Sequence, residues 1–397
     1  MDGATGLLCM ACTDDSQCGG NPCFQDATGA RFCGAPCSSC PVGFSCHPIA
    51  GTSGTAIDSC FPDSNTCTGS GPGSDMAMQQ PPPDFFGLHP DLTIPPKGPD
   101  MAVLCTPPSS SGVTNAGGTV DRLFFGFTGD TRPCGSADSA SACTLGKPSG
   151  GHYPSALQTV INNIFTQMGK KGVQFAVDQG DHMEASNSTE ATQQIGDYLT
   201  AAGKMGKPIF MTMGNHECSN SYNMGSDCSN SCSTDYKCGP FLNALKPVSS
   251  TPYYRFDVMT SAGLAVFIVI ADDTWNSTQA NWLTTQLDDA DKNAKYTFVS
   301  KHHPEGNGDQ SFFAQIESIV RAHKYTLFLT GHTHEFKREP GDPRAIVMGQ
   351  GGAPFDNPKQ MYWGYGTVLQ CPDQHIYITM YDQATGNAMD SFNVPPQ

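Results

Sequence analysis

Ten of the chain's 18 cysteines fall within its first 67 residues: Cys9, Cys12, Cys18, Cys23, Cys33, Cys37, Cys40, Cys46, Cys60 and Cys67. The same stretch is poor in Leu, Ile and Val and rich in Gly, Ser and Asp. So small a segment cannot bury enough apolar surface to hold itself together, and covalent staples must do it. Five disulfides are expected, with a pairing that spacing alone does not reveal. Short cysteine spacings also suit zinc, but His47 is the one histidine beside these thiols. Such cysteine density belongs to an oxidising compartment, because cytosolic thiols are kept reduced. The expected location is therefore secreted, cell-surface or periplasmic. The start, Met1-Asp2-Gly3-Ala4, lacks a basic and apolar signal region, so a secretion signal would have been removed before this numbering begins.

Between Thr68 and Ser110 ten prolines occur with almost no periodicity, the composition of an extended spacer. The expected organisation is thus a cysteine-rich module at 1–67, a Pro/Gly/Ser-rich linker at 68–118 and a folded body at 119–397. The whole chain of 397 residues carries 21 Lys+Arg against 37 Asp+Glu, a net charge of −16. Residues 1–118 hold 2 basic and 10 acidic groups, so half of that excess sits in the front third. A chain this acidic repels phosphate backbones, which excludes nucleic acid as a bulk partner. No run of apolar residues is long enough to span a bilayer, although the front module could attach the protein to a surface or cell envelope.

After Thr119 strands and helices alternate. Apolar runs predict strands at 122–128, 173–177, 208–213, 253–259, 264–271, 296–300 and 325–330. Further strands are expected near 345–348, 367–370 and 375–381. Helical spacing places Leu157, Ile161, Ile164, Phe165 and Met168 on one face, and helices are expected near 189–202, 278–289 and 311–322. The pattern is a layered α/β body with a β-rich finish.

Polar residues gather just past these strands, where α/β folds build their sites. They are Gly129-Asp130-Thr131-Arg132, Gly180-Asp181-His182, Gly214-Asn215-His216-Glu217, Lys301-His302-His303-Pro304 and Gly331-His332-Thr333-His334. The chain has 11 histidines, and six of them stand in these five segments. Carboxylates, an amide oxygen and imidazoles together suit divalent or trivalent Mn, Fe or Zn better than calcium or soft copper. A bridging carboxylate can hold two such ions about 3.5–4 Å apart, a spacing that serves displacement at phosphorus.

The ordered set of strand-end motifs resembles the calcineurin-like metallophosphoesterases, the superfamily that includes purple acid phosphatases and cyclic-nucleotide phosphodiesterases. Gln279, Trp282, Leu283 and Leu287 resemble its helix after the central strand, and Gly349-Gln350-Gly351-Gly352 its late glycine turn. The likeness covers about 120 to 395 and implies a four-layer α/β/β/α sandwich of two mixed sheets, preceded by the cysteine-rich module and linker. It implies two metal ions. Asp130 and His334 would bind the first, Asn215, His302 and His332 the second, and Asp181 would bridge both. His216 would meet the phosphate and protonate the leaving oxygen, partnered by a nearby carboxylate, while His303 would stand behind the ligands or face the substrate. The implied reaction is attack of a metal-bound hydroxide on a small phosphate ester, mono- or diester.

Departures from the family pattern fall at the first motif. Most members carry Asp-x-His there, whereas this chain has Arg132 in the third position. Purple acid phosphatases lack that His too, but place a tyrosine three residues after the bridging Asp, where this chain has Glu184. His182 or Glu184 would replace the absent ligand, or the first metal would be weakly held. Arg132 would offer a cation to a phosphate oxygen; the alternative is a structural arginine. Cys218, Cys228, Cys232 and Cys238 are expected to form two disulfides rather than a zinc site, as a rim over the cleft. Cys134 with Cys143, and Cys105 with Cys371, complete the set. Asp272 and Asp273 are expected to be structural. Tyr153, Tyr222, Tyr362, Trp363 and Tyr365 are candidates for pocket walls or for core. The rival function is an extracellular binding or adhesion protein, with the cysteine-rich module active and the metal domain degenerate.

Overall fold

The computed structural model describes residues 12, 18, 23–25, 31–33, 35–36, 44–50, 56–62, 105–109, 112–133, 155–219, 228, 232, 234–305, 311–339, 341–355 and 362–395. The chain divides into two units, Met1–Gly87 and Leu88–Gln397. In the first, strands β1 (Cys23–Gln25) and β2 (Arg31–Cys33) form an antiparallel pair, and β3 (Ala35–Pro36), β4 (Phe44–Ala50) and β5 (Ala56–Pro62) form a three-stranded sheet in the order β3-β5-β4. Disulfides join Cys12 to Cys23 and Cys18 to Cys33, and these four cysteines form the buried cluster of the unit's described residues. Sulfur crosslinks stand where a larger module would have an apolar core.

The second unit is built on two mixed sheets. The first contains β8 (Phe124–Thr128), β9 (Phe175–Asp178), β10 (Ile209–Met211), β17 (Gly364–Gln370), β18 (Ile376–Asp382) and β19 (Ala388–Val394), in the order β10-β9-β8-β17-β18-β19. The second contains β6 (Val113–Thr114), β7 (Gly117–Thr119), β11 (Tyr254–Thr260), β12 (Gly263–Val269), β13 (Tyr296–Ser300), β14 (Leu327–Thr330), β15 (Phe336–Glu339) and β16 (Asp342–Met348). Its order is β15-β16-β14-β13-β12-β11-β7-β6. Helices α1 (Ser155–Lys171), α2 (Ser188–Ala202) and α3 (Cys238–Leu245) accompany the six-stranded sheet; α4 (Ser277–Asn293) and α5 (Ser311–Arg321) cover the eight-stranded one.

The layering follows from side-chain alternation. Along β12, Ala265, Phe267 and Val269 enter the core between the sheets, while Val266 and Ile268 enter the core under α4 and α5. A strand buried on both faces reads as a continuous apolar run rather than an alternating one. Between the sheets, Phe125 and Phe175 of the six-stranded sheet meet Phe267 of the other edge-to-face, with ring centroids 5.3 Å apart in each case. Phe298 meets Phe125 at 5.2 Å in the same way. Such arrangements add to the area these rings bury. On the outer side of the six-stranded sheet, Ile161, Ile164, Phe165 and Met168 of α1 are fully buried, as their spacing requires.

Strands β8, β9 and β10 run parallel, as do β12, β13, β14 and β16, so the carboxyl ends of both groups carry the five polar motifs. A disulfide between Cys105 and Cys371 ties the segment before β6 to the end of β17, and Arg122 reinforces it by donating to the carbonyls of Thr106 at 3.0 Å and Gln370 at 3.3 Å. Replacing both cysteines by serine releases a closed loop of sequence separation 266 in the unfolded chain. A native crosslink of this kind contributes about 2–4 kcal/mol. The thermal midpoint followed by circular dichroism is expected to fall by several degrees with the folded spectrum kept; an unchanged midpoint would show that the crosslink contributes nothing beyond the sheets.

Candidate metal centre

Each strand-end motif turns its side chain inward through local backbone geometry. Asp130 (φ 58°), Asp181 (φ 59°) and His332 (φ 70°) adopt the left-handed conformation, and among the described residues Gln374 is the one other non-glycine residue that does so. Such backbones cost on the order of 1–3 kcal/mol each and persist where the surroundings enforce them. Here the enforcement is a lattice of loop-to-loop hydrogen bonds. The Asp130 amide donates to the Gly180 carbonyl at 2.8 Å, and the Ala353 amide donates to the Asp130 carbonyl at 2.7 Å. The Gly331 amide donates to the His302 carbonyl at 2.8 Å. Space is equally tight: a Cβ on Gly214 would lie 2.3 Å from Asp181 Oδ1, and one on Gly331 would lie 2.6 Å from Asp130 Oδ2.

Glu217 is the residue that sequence reasoning passed over. Its carboxylate accepts from three backbone amides, Asp181 at 2.9 Å, His182 at 2.7 Å and Gly214 at 2.8 Å, and so clamps the second motif to the third. Its place in the Gly214–Glu217 motif was the available signal. Burial, followed by the charge of Asp181, raises the Glu217 pKa to about 8.

Two donor groups form around one shared carboxylate: Asp181 with His302 and His332, and Asp130 with Asp181 and His334, the ligand atoms of each group lying within 4.8 Å of one another. Asn215 joins the first group. Its Oδ1 stands 3.0 Å from both His302 Nε2 and His332 Nδ1, which are themselves 3.3 Å apart. Donors about 2.1 Å from one cation and at right angles stand about 3 Å apart, so these edges fit a transition-metal ion. The tautomer suits as well. His302 Nδ1 donates to the Gln179 carbonyl at 2.7 Å, which leaves Nε2 to face Asn215 and Asp181 Oδ1, the latter at 3.3 Å. In the other group His334 Nε2 lies 3.6 Å from Asp130 Oδ1, a buried oxygen with no hydrogen-bond partner among the described residues.

Charge balance points the same way. Burial lifts Asp130 to about 6, against the opposing charges of His302 and His334, and lifts Asp178 well above the carboxylate range. Burial would lift Asp181 too, but His302 first, then His216 and Arg132, hold it well below. Burial also takes His332 down to about 2. The interior holds more acidic groups than the chain's own cations can keep ionised, and bound metal ions would supply the balance.

The remaining sequence candidates separate. Arg132 is buried, with Nε 3.9 Å from Asp181 Oδ2 and Nη1 3.7 Å from Glu184 Oε2. His216, partly exposed, pairs through Nδ1 with Glu184, and its Nε2 lies 3.7 Å from Asp181 Oδ2. Glu184 thus stands where a nearby carboxylate partner was expected for His216, and it is not in either donor group of the described residues. His182 is not brought into either donor group: its Nε2 faces the Thr212 carbonyl at 3.2 Å and its Nδ1 faces Asp178 Oδ1 at 3.5 Å, behind the site. Its ring packs on Tyr198 and Phe241. His303 is held through Nδ1 by Asp272 Oδ2 at 3.1 Å and rests against the His332 ring, so it stands behind the ligands. Disulfides Cys218–Cys228 and Cys232–Cys238 follow the third motif, while Cys134 and Cys143 lie outside the described residues. Tyr365 is core, donating its hydroxyl to Gln167 at 3.1 Å; Tyr153 and Tyr222 lie outside the described residues.

Two sheets whose strand ends converge on paired donor groups with a shared carboxylate have the layout of a metal-dependent hydrolase of phosphate esters. The chain belongs to the calcineurin-like phosphoesterase family, whose sequence model matches residues 125–336, more than half of its length. Among solved structures, it is similar to a dimetal phosphatase from Danio rerio, at 13% identity and TM-score 0.46 over 69% of this chain and 99% of that one. It is also similar to a purple acid phosphatase from yellow lupin (Lupinus luteus) seeds, at 14% identity and TM-score 0.47 over 73% of this chain and 55% of that one. A search of curated protein sequences found no significant match.

Glu217→Gln keeps the shape of the clamp but turns an amide NH2 toward a backbone N–H. Stability is expected to fall by about 1–3 kcal/mol in urea denaturation, and phosphoesterase turnover by about 10–100-fold. A variant with full stability and full turnover would remove Glu217 from the site's architecture.

Proposed function

We propose that this chain hydrolyses small phosphate esters at a dinuclear centre, with Asp130, Asp181 and His334 on one metal ion and Asp181, Asn215, His302 and His332 on the other. The observation that carries the reading is the pair of donor groups sharing Asp181. Nitrogen and oxygen donors of this kind suit Mn, Fe or Zn. Bound there, the metals supply Lewis acidity, making water a competent nucleophile and offsetting charge on the phosphoryl oxygens.

The other functions fall to the chain's own side chains. His216 pairs through Nδ1 with the Glu184 carboxylate, which holds the ring and presents Nε2 on the side where Asp181 Oδ2 lies. In this reading the leaving ester oxygen takes its proton from His216 Nε2, a contribution typically worth about 10²–10⁴-fold. Arg132 adds a fixed positive charge on the Asp181 side of the cleft and steadies Glu184. Asp272 and His303 back the His332 ring and limit its rotation. Five disulfides among the described residues support placing the enzyme outside the reducing cytosol. No described helix is long and apolar enough to cross a membrane.

Asp130→Asn and Asn215→Ala are each expected to abolish hydrolysis of para-nitrophenyl phosphate while keeping the circular dichroism spectrum. His216→Ala should slow alkyl phosphates by about 10²–10⁴-fold and the aryl ester much less, because para-nitrophenolate leaves without a proton. Full aryl turnover in Asp130→Asn or Asn215→Ala would overturn the assignment. The ratio of bis-para-nitrophenyl to para-nitrophenyl phosphate turnover distinguishes a diesterase from a monoesterase. Absence of bound metal and of both activities would favour the cysteine-rich module as the active part.

A further inference from the structure

The two donor groups are unequal. Four protein donors, Asp181, Asn215, His302 and His332, converge in one, with separations of 3.0 to 3.3 Å around His302 Nε2. Three donors, Asp130, Asp181 and His334, make up the other, and its Asp130–His334 edge is 3.6 Å.

The shortfall has a structural cause. The third residue of the first motif is Arg132, and its side chain is buried against the shared carboxylate at 5% exposure. Its Nε faces Asp181 Oδ2 at 3.9 Å, whereas Asp181 Oδ1 faces His302 of the four-donor group at 3.3 Å. A guanidinium has no lone pair to give a cation, stays charged at any working pH, and competes for the carboxylate that both groups share. Among the described residues, neither His182 nor Glu184 makes up the deficit. His182 has its ring nitrogens against Thr212 and Asp178, and Glu184 Oε2 is taken up by His216 and Arg132.

Resting on the phosphoesterase reading above, we propose that the centre is asymmetric by construction. The Asp181/Asn215/His302/His332 site retains its metal ion, while Arg132 makes the Asp130/Asp181/His334 site an exchangeable one that fills only when free metal is abundant. Arg132 is thus the residue that sets the affinity of the first site, and metal supply becomes a control on turnover.

The test is titration of the full chain, stripped by chelation, with Mn²⁺ under equilibrium dialysis and elemental analysis, accompanied by calorimetry. The wild type should bind one Mn²⁺ per chain at least about tenfold more tightly than the second. Asn215→Ala should remove the tight event. Arg132→His, which restores an imidazole donor, should narrow the difference by about tenfold or more. Two equal events in the wild type would overturn the proposal, and so would an unchanged difference in a folded Arg132→His chain. If that variant does not fold, the two wild-type affinities decide alone. Turnover of para-nitrophenyl phosphate at saturating Mn²⁺ reports separately: equal sites with turnover defeat only the asymmetry, and unequal sites without turnover defeat only the hydrolase reading.

Discussion

The charged, buried carboxylate of Asp181 is the constraint that the rest of the site serves. Its backbone is left-handed, its amide is tied to Glu217, and its Oδ1 accepts from the His216 amide at 2.9 Å in a space that admits no side chain at position 214. An ionised carboxylate away from water is costly unless opposite charge stands close by. His302, His216 and Arg132 are therefore as much a requirement of Asp181 as contributors to chemistry. The strained turns at Asp130, Asp181 and His332 oppose folding by on the order of 1–3 kcal/mol each. What offsets them is remote from the site, in the aromatic packing between the sheets and the helix layers outside them.

The sequence made the sheets' central strands legible because they are buried on both faces. β13 occupies Tyr296–Ser300, the range its apolar run marks, and the run marked at 264–271 covers most of β12. At the edges, β10 (Ile209–Met211) lies within the run marked at 208–213, but the other edge elements were not legible. β15 (Phe336–Glu339) carries three charged residues, and β19 (Ala388–Val394) alternates weakly, since one face of each stays wet. β6 and β7 are too short for any period to register. Helix α3 opens with Cys238, Gly239 and Pro240 after a loop rich in turn formers, and its helical character comes from packing Phe241 and Leu245 into the core.

At the site, residue type and order at strand ends nominated side chains that the fold brings together in the two donor groups, because metal chemistry restricts which side chains can serve. Orientation was a different matter. His182 and His303 neighbour nominated residues in the chain, yet their rings face away from the donor groups, His182 toward Thr212 and His303 toward Asp272. Left-handed backbones at three motif residues and the three-amide grip of Glu217 depend on contacts between loops distant in sequence, which no local pattern encodes.

Charge shows how global and local arguments divide. A net of −16 disfavours polyanionic partners over the whole surface. Inside, Asp130, Asp178, Asp181 and Glu217 are all buried, and Arg132 is a permanent cation of the chain standing 3.9 Å from Asp181. Burial there favours the protonated forms of Asp130 and Glu217 over the ionised ones. Metal binding would displace those protons and reverse the local sign, converting an acidic cavity into a receptor for an anionic ester. The acidity that turns away polyanions at the surface is the same property that, once buried, recruits the cations a phosphate requires.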